Sequence, residues 1–274
     1  MPDEKIRVKN VIAVGSGKGG VGKSTVAANL SLALQQEGHS VGLLDADIYG
    51  PSIPMMMGVQ GAKPQFGPEG KILPIPAHGV VTMSIGFIAQ GDQAIIWRGP
   101  MIHKILNEFL SRVEWGSLDY LIVDLPPGTG DAQLSLSQLI PLTGALVVTT
   151  PQEVSLADVR RAVEMFRKVR IPILGVVENM SYYVCGKCHE RTEIFSAGGG
   201  ERAAKEWQTT FLGGIPLVTE VRVGGDRGVP IVVSDPRSEI SGIFRSIARN
   251  LSNVIREAHL QVSKEGEPPR IFKV

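Results

Sequence analysis

One short glycine-rich stretch constrains what this chain can fold into more than any other part of it. The stretch reads Gly17-Lys18-Gly19-Gly20-Val21-Gly22-Lys23-Ser24-Thr25. It matches the phosphate-loop pattern G-x-x-x-x-G-K-[ST]. The apolar run before it, residues 11–14, is typical of a buried strand, and residues 23–36 after it have the apolar spacing of a helix. A strand, a glycine loop and a helix N-terminus direct backbone N–H groups at an anion. This order therefore predicts a phosphate site rather than a glycine turn that binds nothing.

Three side chains of this loop are candidates for the chemistry of the site. Lys23 is placed to neutralise the β- and γ-phosphates of a nucleotide, and the Ser24 hydroxyl is placed to ligate Mg²⁺. The rest of the loop, through Thr25, is expected to contact the phosphates. Lys18 adds a second cation just after the first glycine. Its spacing alone indicates an extra positive charge near phosphate, and a solvated surface lysine is the alternative.

Apolar strand-like runs alternate with helical patterns along the chain. The strand-like runs are residues 11–14, 41–44, 120–123, 145–149 and 173–177, and the helical patterns are residues 23–36, 132–139, 157–168 and 239–259. The alternation predicts an α/β fold, a doubly wound and mostly parallel sheet with helices on both faces. Residues 72–88 instead favour a hairpin or an irregular excursion. We expect a single domain over residues 1–263 and a flexible tail over residues 264–274.

Carboxylates end two of the predicted strands. Asp124 follows an apolar strand in the manner of a Walker B aspartate, and would hold Mg²⁺ through its water shell. The glycines of the segment after it can approach a γ-phosphate with no Cβ in the way. Asp45 and Asp47 close the second strand, where Asp45 would support Mg²⁺ or the adjacent loop. Both aspartates could instead cap a helical turn after Pro51.

The two cysteines of the chain, Cys185 and Cys188, fall in a loop predicted near residues 181–196. A closed soft-metal site takes about four ligands, and one chain supplies two. A two-fold dimer would supply four at its axis. The pair is therefore expected to bind a bridging [4Fe–4S] cluster or, as an alternative, a shared structural Zn²⁺.

Two further readings of the cysteines conflict with the rest of the sequence. Together with His189 they match the haem-attachment pattern C-x-x-C-H, but haem attachment needs export, and an exported protein has no ATP for a phosphate loop. A thioredoxin-like dithiol would lie at a helix N-terminus early in a βαβ unit, whereas this pair follows a late strand. His189 is interpreted as a bystander.

The composition of the chain and the length of its apolar runs limit the classes of binding partner that we expect. A formal net charge of +1 and an aromatic content of 5% argue against a nucleic-acid surface. Apolar runs stay short of a membrane span, and the first residues lack the apolar core of a signal peptide. We therefore expect no nucleic acid, no membrane and a cytoplasmic location.

The loop with Lys18 resembles the deviant phosphate loop of the SIMIBI class, which includes nitrogenase iron protein, the Min and Par ATPases and the Mrp/Nbp35 iron–sulfur carriers. In that class the extra lysine reaches the nucleotide of the partner subunit. The resemblance thus implies a homodimer that is stabilised by bound ATP, with Lys18 acting across the interface. It also implies that Asp47 orients the attacking water, that Asn179 reads the adenine edge, and that Pro216 and Leu217 cover the base.

Longer blocks resemble the Mrp/Nbp35 family (ApbC-type) of iron–sulfur cluster carriers. The blocks are residues 45–52 (DADIYGPS), 97–101 (WRGPM), 124–131 (DLPPGTGD), 178–181 (ENMS) and the late CxxC. The resemblance implies slow ATP hydrolysis and transfer of a [4Fe–4S] cluster, received from a cluster donor, to apo iron–sulfur proteins. The four-cysteine segment of the Nbp35 branch is not in this sequence, so we expect no second cluster. The amino-terminal domain of bacterial Mrp proteins is not in this sequence either. A Min/Par-type ATP-dependent positioning switch, with a structural zinc or unused cysteines, is the alternative.

Overall fold

A mixed, mostly parallel sheet organises this computed structural model, which describes residues 7–88, 99–128, 142–264 and 272–273. Its order is β3-β4-β2-β5-β1-β6-β7-β8, with β9 beside β7 and β10 beside β1. The strands are β1 Arg7–Ser16, β2 Val41–Asp45, β3 Ile75–Ala77, β4 Val80–Ser84, β5 Ser117–Asp124, β6 Gly144–Thr149, β7 Ile173–Val184, β8 Arg191–Thr192, β9 Phe211–Leu217 and β10 Phe272–Lys273. Among the strands named here, all within the described ranges, antiparallel pairing is confined to β3 with β4, β7 with β8, and β10 with β1.

Helices cover both faces of this sheet. They are α1 Lys23–Gln36, α2 Ile53–Met56, α3 Gly99–Arg112, α4 Glu153–Lys168, α5 Gly199–Glu206, α6 Thr219–Asp226, α7 Ile231–Ser234 and α8 Glu239–Lys264. Ile12 and Val14 of β1 belong to the same buried cluster as residues of α1 and α8. Val11 and Ala13 belong to a second cluster, with Phe109 of α3. Alternate residues of a strand point to opposite faces, so β1 is buried on both sides, as a central parallel strand requires.

The observed elements confirm the predicted fold class. Helix α1 has the predicted bounds, and residues 72–88 contain the β3–β4 hairpin followed by a 3₁₀ turn at Ile85–Phe87. The strand predicted at residues 173–177 continues to Val184. The predicted helix at residues 132–139, residues 97–98 and residues 129–131 lie outside the described residues. Phe272–Lys273 of the predicted tail pair with Val8 and Arg7; the domain limits and the flexibility of the tail stay predictions.

Asp119 joins the amino ends of two strands through a set of hydrogen bonds. Its carboxylate accepts from Lys9 Nζ at 2.7 Å and from the backbone N–H and hydroxyl of Ser40, both at 2.9 Å. Partial burial opposes ionisation, but the bonds from Lys9 and Ser40 outweigh it and lower the pKa of Asp119 to about 2. Asp119 therefore stabilises the fold above its unfolded pKa of about 3.9, and this contribution is lost as the pH falls towards 2.

We expect Asp119→Asn to lower the thermal midpoint at pH 7 by about 3 °C, because hydrogen bonds to a charged acceptor are lost. The difference from the unmodified protein should shrink between about pH 4 and pH 2. Thermal unfolding across this range measures both. Glu164→Gln is the matched control, because its exposed pair with Arg167 should contribute little. An Asp119 effect that is equally large at both ends of the range would contradict the assignment.

Candidate functional site

The glycine loop between β1 and α1 is shaped by close backbone approaches. A Cβ on Gly17 would lie 2.2 Å from the backbone of Asp158 in α4, so that position excludes any side chain. Gly22 has a φ of 80°, in the left-handed region that favours glycine. The Ser16 hydroxyl donates to the carbonyl of Lys18 at 3.0 Å and fixes the start of the loop. The loop borders a cavity of about 180 Å³. That cavity is lined by Ser16, Lys18, Gly19, Gly20, Gly22, Lys23, Ser24, Thr25, Asp47, Ser52, Met56 and Pro127.

A buried ion-pair cluster forms the floor of this cavity. Lys23 Nζ lies 2.7 Å from Asp124 Oδ1, 3.5 Å from Asp47 Oδ2 and 3.3 Å from the Ser24 hydroxyl. Burial raises the pKa of Asp124, and the charge of Lys23 opposes that rise. The structure thus brings together the four side chains that the sequence assigned to phosphate, metal and water.

One carboxylate oxygen of Asp124 is relevant to magnesium binding. Asp124 Oδ2 is buried and has no hydrogen-bond partner among the described residues. A buried carboxylate oxygen without a partner, on a side chain paired with Lys23 of the phosphate loop, fits a role in holding the water shell of Mg²⁺. Ser24 and Asp124 are therefore the residues that would hold the ion, and the ion would supply positive charge to neutralise the phosphates.

The carboxylate of Asp45 makes different contacts from that of Asp124, its neighbour on the adjacent strand. Its Oδ1 accepts the N–H of Asp47 at 3.1 Å. Its Oδ2 accepts the N–H of Ile53 at 3.2 Å and the Ser84 hydroxyl at 2.9 Å. Burial first, and the charge of Asp124 second, raise the pKa of Asp45 to about 7. The bond from Asp47 holds the loop that carries this residue. The bond from Ile53 caps the N-terminus of α2, so Asp45 makes the capping contact that the sequence offered as an alternative to a magnesium role. Ser84 was not predicted from the sequence, because its role depends on the pairing of β4 with β2.

The segment after Asp124 turns back towards the phosphate loop. The N–H of Gly128 donates to the carbonyl of Ser16 at 2.9 Å, and Gly128 has a φ of 90°. Pro127 lines the phosphate cavity. This part of the segment therefore lies beside the loop, as its motif predicted, while residues 129–131 are outside the described residues.

A second, more apolar cavity of about 270 Å³ adjoins the first and shares Gly22, Thr25 and Met56 with it. All three predicted base-contacting positions, Asn179, Pro216 and Leu217, line it. The Asn179 side-chain amide donates to the carbonyl of Val21 at 2.8 Å, which ties the cavity to the phosphate loop. Residues that the sequence did not indicate also line it: Met56, Met180, Val218, Val221, Arg222, Gly225 and Asp226. A polar cavity beside an apolar one matches the phosphate and base portions of a nucleotide.

Cys185 and Cys188 occupy the turn of the β7–β8 hairpin. The N–H of Cys185 donates to the carbonyl of Glu190 at 3.0 Å, and the N–H of His189 donates to the carbonyl of Cys185 at 2.9 Å. The backbone N–H groups of Cys188 and Lys187 lower the pKa of the Cys185 thiol, with a smaller contribution from the Cys188 thiol. Cys185 is half-buried and Cys188 is exposed. Two thiols at an accessible turn, with the pKa of Cys185 lowered, are suited to metal binding.

The turn supplies two soft ligands from one chain. No group of three or more His, Cys, Asp or Glu side chains with metal-binding geometry occurs among the residues that the structure describes. The cysteine pair is therefore a partial donor set in this part of the chain. Lys18, the other residue predicted to act at an interface, is half-buried and lines the phosphate cavity.

Comparisons with known proteins agree with this site. The family model described as NUBPL iron-transfer P-loop NTPase matches residues 7–252. The iron–sulfur cluster carrier protein of Synechocystis sp. is 51% identical over 266 residues, which cover 95% of this chain and 75% of that relative. A nucleotide-binding protein from Archaeoglobus fulgidus, solved in complex with ADP, is 39% identical with a TM-score of 0.75, over 86% of this chain and 92% of that one. The cell division ATPase MinD of Pyrococcus furiosus is 24% identical with a TM-score of 0.67, over 90% of this chain and 99% of that one, and shows the fold alone. Separately, the described helices include none with the length and hydropathy of a membrane span.

Proposed function

This chain belongs to the NUBPL iron-transfer P-loop NTPase family, and we propose that it carries a [4Fe–4S] cluster between two copies of itself and delivers it to apo-proteins. The observation that carries the proposal is a P-loop nucleotide site in the same chain as a pair of thiols at a hairpin turn, where Cys188 is exposed and the pKa of the half-buried Cys185 is lowered. The relatives named as iron–sulfur cluster carrier proteins support it.

The nucleotide half of the proposal follows from the buried cluster. Lys23 would pair with the β- and γ-phosphates, and Ser24 and Asp124 would hold Mg²⁺. Asp47, held near Lys23 by its own loop, would orient the attacking water. Loop N–H groups and Lys23 are fixed before the reaction, so they stabilise the charge that develops on the phosphate oxygens. Asn179 and Pro216 would contact the adenine.

The cluster half follows from the donor count. A [4Fe–4S] cluster takes about four thiolates, and each chain offers Cys185 and Cys188. Two chains related by a two-fold axis would complete the set. A cluster held at an accessible turn can be handed to an acceptor, whereas a cluster in a core is retained. The site therefore suits a cluster that is handed on as cargo better than a cluster that stays bound for electron transfer.

Anaerobic reconstitution with iron and sulfide tests the proposal. We expect about four irons per dimer, a broad visible absorption band and loss of the cluster to an apo-acceptor. Zinc bound in preference to iron would support the structural-zinc reading instead. One complete cluster per monomer would refute the shared site.

Asp47→Ala is expected to leave ATP affinity within about twofold while slowing turnover by at least about tenfold, because water orientation is lost and the phosphate contacts remain. Isothermal titration and single-turnover hydrolysis separate the two quantities. Asp158→Ala, at a carboxylate outside the cavity, is the matched control. An unchanged turnover in the Asp47 variant would remove this residue from the mechanism.

Mixing two variants tests whether Lys18 acts across the dimer. A Lys18→Ala protein and an Asp47→Ala protein are each expected to hydrolyse ATP slowly. If Lys18 completes the partner's site, mixed dimers regain one intact composite site, and activity recovers to about a quarter of the unmodified level at equal mixing. Subunit exchange is verified independently with tagged chains. Exchange without recovery would place Lys18 in its own chain's site.

A further inference from the structure

Glu178 is a buried carboxylate that the nucleotide and cysteine sites leave unexplained. It is 1% exposed, at the point where the parallel pairing of β7 with β6 ends. Its Oε1 accepts the Ser181 hydroxyl and its Oε2 accepts the backbone N–H of Gly200, both at 2.5 Å. Both donors are neutral, and Gly200 lies in the first turn of α5, where the helix dipole favours a negative charge. A buried charge satisfied in this way fixes the groups around it.

These bonds close the base of the segment that carries the cysteines. We call residues 178–200 the cysteine loop: it leaves the sheet along β7, turns at Cys185 and Cys188, and returns through β8 to α5. The bond between Glu178 and Gly200 joins its two ends across 22 residues. This carboxylate therefore ties the start of the cysteine loop to its end.

The base of the cysteine loop is tightly packed against neighbouring backbone. A Cβ on Gly200 would lie 2.9 Å from Glu178 Cβ, and a Cβ on Gly214 of β9 would lie 2.8 Å from the Ser181 hydroxyl. Either contact is shorter than side chains tolerate, so α5 and β9 both approach the Glu178–Ser181 pair through bare backbone. Movement of the pair would displace both elements.

The residue next to Glu178 touches the nucleotide site. Asn179 donates to the carbonyl of Val21 in the phosphate loop, and a Cβ on Gly22 would lie 2.1 Å from its amide nitrogen. Met180 follows in the left-handed region, with a φ of 55°, and lines the base cavity. The register between β7 and β9 shifts between Asn179 and Tyr183. An irregular, strained step of this kind is a place where a strand can change its path.

We propose that Glu178 is a positioning residue through which occupancy of the base cavity sets the placement of the cysteine hairpin. The proposal rests on the proposed function for the identity of the two ligands. Contact of a base with Asn179 acts on the peptide that Glu178 shares with it, and Glu178 passes the displacement to both legs of the cysteine loop. The γ-phosphate is not required for this route, which distinguishes it from ATP-driven dimerisation.

The experiment measures the alkylation rate of Cys185 by iodoacetamide in the reduced, cluster-free full chain, with and without saturating Mg²⁺–ADP. ADP is the probe because it fills the base cavity without a γ-phosphate. We expect ADP to change the rate by about fivefold in the unmodified protein, and by less than about 1.5-fold in Glu178→Gln. ADP affinity of the variant should stay within about twofold of the unmodified value. Glu193→Gln, the same change at an exposed position of the cysteine loop, should keep the full response.

Ser181→Ala is a second variant, which tests the proposal even if the Glu178 variant fails to fold. It removes one of the two bonds and leaves the bond to Gly200, so its ADP response should fall to about half of the unmodified response or less. A full ADP response in either variant, or no response in the unmodified protein, would overturn the proposal. The alkylation readout uses no cluster. Failure of the unmodified chain to bind a cluster in reconstitution therefore counts against the proposed function alone, and cluster binding without an ADP response counts against this inference alone.

Discussion

Cys185→Ala is expected to abolish stable cluster binding, from about four irons per dimer to fewer than about 0.5, because only two thiolates per dimer remain. Cys188→Ala should do the same for the same reason. Both side chains lie at an exposed turn and neither packs in the core, so the loss should come without a change in thermal midpoint or ATP hydrolysis. Iron and sulfide analysis after anaerobic reconstitution gives the measurement.

Lys187→Ala is the matched control for the cysteine variants. It removes an exposed side chain from the same turn and keeps the backbone N–H that lowers the pKa of Cys185. Its iron content should equal that of the unmodified protein. Unaltered iron in the Cys185 variant would place the cluster elsewhere, and a comparable loss in the Lys187 variant would show that the turn itself, and not the thiolate, had been damaged.

Lys23→Ala is expected to reduce ATP hydrolysis by at least about tenfold and to weaken ATP binding, because the charge that would neutralise the phosphates is removed. The same change leaves Asp124 and Asp47 close together and buried without their cation, which destabilises the fold. Thermal unfolding must therefore accompany the hydrolysis assay, with turnover compared at a temperature where both proteins are folded.

Lys9→Ala provides the comparison for the Lys23 variant. Lys9 also pairs with an aspartate at 2.7 Å, but it is exposed and distant from the phosphate cavity. Its loss should leave turnover within about twofold of the unmodified value, since the Lys9 side chain does not line the phosphate cavity. Equal turnover in the Lys23 variant and the unmodified protein would exclude Lys23 from phosphate binding.

The phosphate loop, the helix after it and the parallel strands could be predicted because their signals are local. Residues 17–24 follow a fixed pattern, and α1 carries its apolar residues at helical spacing without a breaking residue. The position of Asp124 could be predicted because the carboxyl ends of adjacent parallel strands meet at one edge of the sheet, whereas the role expected of Asp47 rests on the family resemblance. These parts of the site depend on short stretches of sequence and on a simple rule of topology.

What could not be predicted depends on contacts between distant parts of the chain. The second cavity combines Met56 of α2 with Arg222 of α6, and no pattern in either helix indicates a ligand. Residues 178–184 alternate poorly between polar and apolar, so β7 was expected to end before them. Glu178 is charged and would be expected at the surface; its burial follows from a hydrogen bond to Gly200, which only the folded chain brings near.

The hairpin turn has a consequence for how much cargo the protein can hold. Since one chain contributes two thiols there, the proposed four-thiolate site would be assembled from two chains, and its occupancy would follow the law of mass action for a dimer. Dilution would unload such a site even with acceptor absent, and a higher cellular concentration would fill it. Under this proposal, expression level would be a control on cluster supply that acts beside the nucleotide.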